Sequence, residues 1–421
     1  MQSPYRYDVL ALDTADDDPI WAAYVNIFRT VFLDGRATPE GVGTFRKHRR
    51  EDGAVLGMVT TEGPGLDGRQ PVAGFNVTPT TINQGRGLRP ALIVNTIGVL
   101  PSHRRRGLLK EMMRRQLDAA REQGMAVAVL TASEATIYGR FGFAPATRGQ
   151  QLRIDTRRFA YRDGVEVADG AIEFVEPSFL ADHWERITTA HQERHRGAVG
   201  HTHAHFLVDT GAWDSDEAGP SKNLRAVVHF DADGVPDGFA VFRFKGWDEA
   251  PQATVFKVCA PDAPVERALW RALAEMDLIE TLTYDLSSPS DHLPLSLADE
   301  RALKVTGISD WVWLRIFDLP AAVDGRAFDG DGEIVLRVVD RMGYVDGTWR
   351  LTASGGLGSA EATDAEPEVT LGVDTLALLW HNDHTAAQAA EAGVLDGSDE
   401  AVRRLGRMLR WDESAENLAT F

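Results

Sequence analysis

The stretch that most constrains this 421-residue chain is Ile97-Gly98-Val99-Leu100-Pro101-Ser102-His103-Arg104-Arg105-Arg106-Gly107-Leu108-Leu109. An apolar strand ends in Val-x-Pro, and an Arg/Gly turn opens a helix. That helix carries Leu109, Met112, Met113, Leu117 and Ala120 on one face, with Gly124 at its stop. The spacing predicts a strand over 92–99 and a helix over 104–123. Unpaired N–H groups and the positive end of the helix dipole converge at such a turn, which makes it an anion site. Gly107 lets the backbone approach a diphosphate closely, and three arginines add charge. A solvated basic helix start is the simpler alternative; the order strand, turn, helix favours the site.

Charge supports the same reading. Net charge is −19, yet residues 1–150 carry +4 against −12 for 151–310 and −11 for 311–421. The whole chain therefore repels nucleic acid and anionic membrane and tolerates cationic partners, while its first third opposes the trend. Cys259 is the only cysteine, which excludes an intrachain disulfide framework and a cysteine-based zinc site. No apolar run approaches the ~18–20 residues of a membrane span, and the N-terminus lacks the apolar core of a signal peptide. A cytoplasmic protein is the expectation.

Three regions emerge along the chain. In residues 1–150 the pattern reads helix (19–33), strands (54–60, 72–78, 92–99), helix, strand (125–131), short helix (134–140) and strand (150–154). Residues 151–310 repeat the theme more faintly, with helices over 178–193 and 263–277. Their strands fall at 225–230, 238–244, 254–259 and 281–286, and a diverged second copy is expected. From 311 to 421, strands at 311–318, 333–339, 348–353 and 368–371 precede helices at 374–380, 385–392 and 398–409. The fold class is α/β, shading to α+β: two mixed-sheet layers and a third α+β domain.

Arg104-Arg105-Arg106-Gly107-Leu108-Leu109 resembles the Arg/Gln-x-x-Gly-x-Gly/Ala loop of the GNAT acetyltransferase superfamily, with Leu109 in place of the last small residue. The run Ala132-Ser133-Glu134-Ala135-Thr136-Ile137-Tyr138-Gly139-Arg140-Phe141-Gly142-Phe143 narrows this to the Eis (enhanced intracellular survival) family of aminoglycoside N-acetyltransferases. Similarity extends to Ala268–Leu273 and Trp313–Ile316, so it spans nearly the whole length. The resemblance implies two tandem GNAT folds, the second without a cofactor site, and a sterol-carrier-protein-like C-terminal domain. It implies acetyl-CoA as cosubstrate, held by Ile97, Gly98 and Val99 through their backbone and by Arg105, Arg106, Gly107, Leu108, Leu109 and Lys110 around the phosphates. Ser133 and Glu134 match positions near the cofactor, although Glu134 is also a plausible first-turn helix acid.

The resemblance further implies Tyr138 as general acid and the terminal α-carboxylate, on Phe421, as base. From the residues alone, Tyr138 beside Ile137 and Phe141 reads more readily as core than as catalytic. An exposed α-carboxylate, with a pKa of about 3.5, is a poor base unless burial raises it. The expected acceptor is a primary amine of a cationic small molecule such as an aminoglycoside, and the expected assembly is a homo-oligomer, a hexamer by resemblance. Two alternatives stand beside it: a protein or peptide lysine as acceptor, or a non-enzymatic carrier of an apolar ligand. One cluster remains outside this scheme. His191 and His195 are four apart on a helical face, and His201, His203 and His205 alternate as on a strand. Such spacing can bind zinc or nickel, but His-Gln-Glu-Arg-His is not His-Glu-x-x-His. No metal is expected, and polar or packed histidines are the preferred reading.

Overall fold

The computed structural model describes residues 4–66, 68–214, 217, 219–245 and 251–421. The first three residues, on which the signal-peptide reading partly rests, lie outside them. The first region contains, in order, β1 (Arg6–Leu10), α1 (Ile20–Val31), α2 (Pro39–Glu51), β2 (Val55–Leu66), β3 (Arg69–Asn83) and β4 (Leu88–Val99). It continues with α3 (Leu108–Glu122), β5 (Val127–Thr131), α4 (Ala135–Tyr138) and β6 (Ala144–Pro145). Helix α1 buries Trp21, Tyr24, Val25, Ile27 and Phe28, and the Tyr24 hydroxyl donates to the Phe75 carbonyl at 2.7 Å. Helix α3 buries Leu108, Met112, Met113, Leu117 and Ala120, which join Val77, Leu92 and Val94 in a single apolar cluster. Each such side chain contributes about 1.5–3 kcal/mol on burial.

The sheet order is β1-β2-β3-β4-β5, then Val312–Ile316, then β6. The strand expected to open the third region is thus built into the first sheet, antiparallel to β5 with Leu314 opposite Val129. Its five residues are all buried, so it needs a partner on both edges and finds one between β5 and β6. Arg315 on this strand is fully buried, and its Nη2 donates to Asp340 Oδ2 at 2.6 Å. Asp340 also accepts from the backbone N–H groups of Met342, Tyr344 and Val345. This network pins the third region against the first.

A second seven-stranded sheet has the order Leu303–Asp310, Arg148–Asp155, Thr281–Ser287, Gln252–Cys259, Pro236–Phe244, Leu224–Phe230 and Ala171–Val175. Helix Ala263–Ala274 covers it and buries Leu269, Trp270 and Leu273 completely. The third sheet has five strands, Leu357–Ala362, Gly347–Ser354, Gly332–Val339, Val369–Gly372 and Leu395–Gly397, accompanied by four helices between Leu319 and Leu409. The architecture is therefore two mixed α/β layers and an α+β domain, as expected from the pattern.

Several elements depart from that pattern. Helix α3 starts at Leu108 rather than 104, because Arg105 (φ +61°) and Gly107 (φ +78°) are left-handed and cannot continue a helix. The helix expected over 178–193 is a tight 3-10 turn, Pro177–Asp182, followed by Trp184–Arg194. His203–Asp209 is a helix, so His201, His203 and His205 do not share a strand face. A capping box at Thr202, in which His205 Nδ1 accepts from the Thr202 N–H at 2.8 Å, decides that conformation. Among the described residues, no helix is long and apolar enough to cross a membrane.

Candidate active site

β4 runs antiparallel to β3 for most of its length, interrupted by an irregularity that sets Asn95 opposite Asn76 and Gly98 opposite Gly74. Thr96 sits inside it with φ +38°, a strained value for a β-branched residue. On the other side, β4 pairs in parallel with β5 only at Leu92↔Ala128 and Ile93↔Val129. Beyond Ile93 the two strands part, and a groove of about 710 Å³ opens there. Ile97 and Val99 line it from β4, so their main-chain polar groups are available to a strand-like ligand. Gly98 instead faces α1, where a Cβ would come within 3.1 Å of the Phe28 ring.

The turn beyond β4 supplies the charge. Arg105, Gly107, Leu108, Leu109 and Lys110 line the groove at the start of α3, whose first-turn N–H groups have no acceptor within the helix. Nothing stands within 4 Å of a Cβ added to Gly107, so its left-handed backbone, not crowding, demands glycine. Arg106 does not line the groove; its guanidinium donates to the Tyr5 hydroxyl at 2.7 Å and to the Ser102 carbonyl at 3.2 Å. Further along α3, Arg114 and Arg115 are both paired with Glu111, so the charge at the groove comes from Arg104, Arg105, Lys110 and Arg140. The third region adds Arg341 and Met342 to the opposite wall. Neither was legible in the sequence, because that loop reaches the first region through contacts distant in the chain, Arg315 with Asp340 and the Tyr344 hydroxyl with Arg114 and Asp118.

Ser133, Glu134 and Tyr138 line the same groove. Burial pushes the Tyr138 phenol above its usual range, opposed by a hydrogen bond from Ser133 and reinforced by the charge of Glu134. A phenol held protonated can donate a proton at neutral pH. Phe421 is half-buried against the core shared by the first and third sheets and does not line this groove. The tail is well anchored before it: His205 Nε2 donates to the Thr420 carbonyl, and Trp311 Nε1 donates to the Ala419 carbonyl at 3.2 Å.

A second cleft, of about 310 Å³, meets the groove at Phe32. Its walls include Phe28 of α1, Phe45 and Arg49 of α2, the strained Thr96 and Leu207 of His203–Asp209. Arg49 is 5% exposed, stacks over Phe45 at 5.3 Å, and leaves Nε and Nη1 without a hydrogen-bond partner. Beside it, burial and the Arg49 charge push His48 down to about 3, so that ring is neutral. Sequence reasoning missed α2 because it is strongly polar and buries only Val42 and Arg49. The available signal was Val42, Phe45 and Arg49 at i, i+3 and i+7.

The counterpart in the second sheet is built differently. Gln252–Cys259 pairs in parallel with Thr281–Ser287 over four positions, from Gln252↔Thr281 to Val255↔Tyr284. The helix that follows is capped by Asp262, whose carboxylate accepts from the Val265 N–H at 3.0 Å, with Pro264 and Glu266 in its first turn. A carboxylate already fills the place an anion would take.

Comparison with known proteins agrees with this geometry. The acetyltransferase (GNAT) domain family matches residues 17–146, a second acetyltransferase (GNAT) family matches 197–316, and the sterol carrier protein domain matches 319–415. N-acetyltransferase Eis of Mycobacterium tuberculosis is 32% identical over 390 residues, which cover 87% of this chain and 89% of that protein. The chain belongs to the Eis family of GNAT N-acetyltransferases. An uncharacterized N-acetyltransferase of Streptomyces avermitilis is 34% identical over 345 residues, 80% of this chain and 82% of the relative. The crystal structure of Eis1 from Mycobacterium abscessus superposes with a TM-score of 0.79 at 25% identity, covering 99% of this chain and 100% of that one. This Eis-family chain is thus an acetyl-transferring enzyme with two GNAT layers and a sterol-carrier-like domain.

Proposed function

We propose that the chain transfers the acetyl group of acetyl-CoA to a primary amine, with the reaction centre where the groove and the second cleft meet. The observation that carries this reading is the parting of β4 from β5 beside a left-handed Arg/Gly turn, with Tyr138 on the same wall. Acetyl-CoA supplies an activated thioester. Ile97 and Val99 hold its amides through their backbone, while Arg105, Lys110, Arg341 and the N–H groups of residues 107–110 take its phosphates. Tyr138 donates its phenolic proton to the departing thiolate as the amine forms the new C–N bond. The Phe421 α-carboxylate accepts the ammonium proton in the scheme the family implies, and Ser133 sets the Tyr138 hydroxyl.

The family implies a cationic acceptor such as an aminoglycoside, favoured by the acidity of the second and third regions. One observation favours a different acceptor. The buried guanidinium of Arg49 lies in the adjoining cleft among aromatic rings with Nε and Nη1 lacking hydrogen-bond partners and only the Asp52 charge to offset its burial, which is costly. An amine on an aromatic or aliphatic body that also carries a carboxylate would satisfy it, whereas a polycation would be repelled. A thiol-release assay across aminoglycosides, polyamines, lysine peptides and aromatic amino acids decides between them. Calorimetric silence on titration with acetyl-CoA would undo the enzyme reading in every form. A cytoplasmic homo-oligomer, a hexamer by resemblance, belongs to the same proposal; a monomeric mass by light scattering refutes the assembly.

A further inference from the structure

The second sheet has its own cavity at the end of its parallel strand pair, the position that the cofactor groove takes in the first. It measures about 420 Å³ and is lined by His191, His195, Glu266, Asp291, His292 and Glu416, among others. Carboxylates and imidazoles outnumber the one arginine on its wall, Arg194, so the chemistry suits a cation.

Three donors converge. Glu416 Oε1 stands 3.4 Å from His191 Nε2, and Glu416 Oε2 stands 3.3 Å from His195 Nδ1. One donor atom from each of the three residues lies within 4.8 Å of the others. The edge of a tetrahedron with metal–ligand bonds of about 2.0–2.1 Å is about 3.3 Å, which each Glu416 separation matches through a different carboxylate oxygen. His191 is 4% exposed, and its Nε2 has no hydrogen-bond partner. Its Nδ1 faces the Ala260 carbonyl at 3.4 Å, and the tautomer that carries its proton there directs the Nε2 lone pair at Glu416. A carbonyl on the far ring nitrogen is the arrangement that orients a metal-binding imidazole.

The scaffold is fixed before any cation arrives. His191 belongs to helix Trp184–Arg194 and His195 caps its end, with rings stacked at 4.2 Å. Glu416 comes from 221 positions further along the chain than His195, and its N–H donates to the Arg196 carbonyl at 3.0 Å. Asn417 Oδ1 accepts from the Val199 N–H at 3.0 Å, which locks the next residue.

We propose that His191, His195 and Glu416 bind one zinc-class divalent cation, which clips the C-terminal segment to the second region. Two imidazoles and a carboxylate select a borderline transition cation over calcium or magnesium. The remaining coordination position opens to the cavity and to water. The cation does no acetyl chemistry; it fixes the tail that ends in Phe421.

The full chain, stripped with a chelator, is titrated with zinc against a chromogenic competitor and with cobalt under visible absorption. One equivalent of each is expected, with the intense absorption of four-coordinate cobalt. Zinc is expected to raise the Tm of the stripped protein. Glu416→Gln, nearly isosteric and uncharged, should weaken zinc binding at least 10-fold, and His191→Gln likewise, with the Tm response lost in both. Absence of stoichiometric binding overturns the site. Binding that is equal in wild type, Glu416→Gln and His191→Gln overturns it too, since the cation would then sit on other histidines.

Discussion

The two GNAT layers share the order strand, helix, parallel strand, and differ where those strands end. In the first, β4 and β5 pair at two positions and part; in the second, the equivalent strands pair at four. The first turn is Arg105 and Gly107 in left-handed conformations before an uncapped helix, and the second is Asp262 capping its own helix. A helix start left open with positive charge takes an anion, and one closed by its own carboxylate does not. One fold therefore gives a groove beside an Arg/Gly turn or a cavity rich in histidines and carboxylates, according to a few turn residues.

The sharpest way to break this comparison is to remove a tyrosine from each half. Tyr138→Phe should lower kcat by about 100-fold or more, the size of a lost general acid, with the KM for acetyl-CoA unchanged. Tyr284→Phe, in the second cavity, should leave steady-state kinetics unaltered. Equal losses would refute the division of labour.

Charge at the two turns comes next. Arg105→Ala and Arg341→Ala should each weaken acetyl-CoA binding about 10-fold, consistent with ~1.5–3 kcal/mol for a charge-assisted hydrogen bond. Calorimetry checks this, and an unchanged Kd in both variants would remove the phosphates from this turn.

Acid should act where the buried histidines lie, at His48 in α2 and at 201–205, before it acts on the β2–β4 sheet. Burial and Lys257 push His205 down to about 3, and burial likewise lowers His201. Both rings stay neutral in the folded chain while the unfolded chain protonates below 6.5. Their stabilisation is therefore fully present above that pH and is lost as pH falls toward 3. At pH 5 the loss is about 2 kcal/mol for His205. Hydrogen exchange at pH 5 against pH 7 should show earlier opening of the tail and of His203–Asp209 than of β2–β4. The smallest effect is the cap itself: Asp262→Ala should cost about 1 kcal/mol in thermal denaturation and leave acetyl-CoA affinity untouched.

Much of the groove could be read directly from residues 97–143. Local chemistry is sufficient there: a strand, a turn that needs left-handed glycine, and a helix with one apolar face. The strong helices, α1, α3 and 263–274, were legible for the same reason, since each buries one stripe. α2 was not, because its only buried residues are Val42 and a charged Arg49. The strand Val312–Ile316 could be recognised as a strand, but not as a member of the first sheet, because a uniformly buried strand carries no label for its partner. Arg341 and Glu416 were invisible as site residues, each delivered by contacts with residues far away in the chain.

Sequence alone determined the family, the three-part organisation and the Arg/Gly turn between strand and helix, because these rest on periodicity and on residues adjacent in the chain. Tertiary structure decided that Arg49 is buried beside the groove with Nε and Nη1 unpartnered, that Arg341 joins the groove wall, and that Glu416 meets His191 and His195. Those facts depend on which surfaces pack together, and packing joins residues that no local pattern connects.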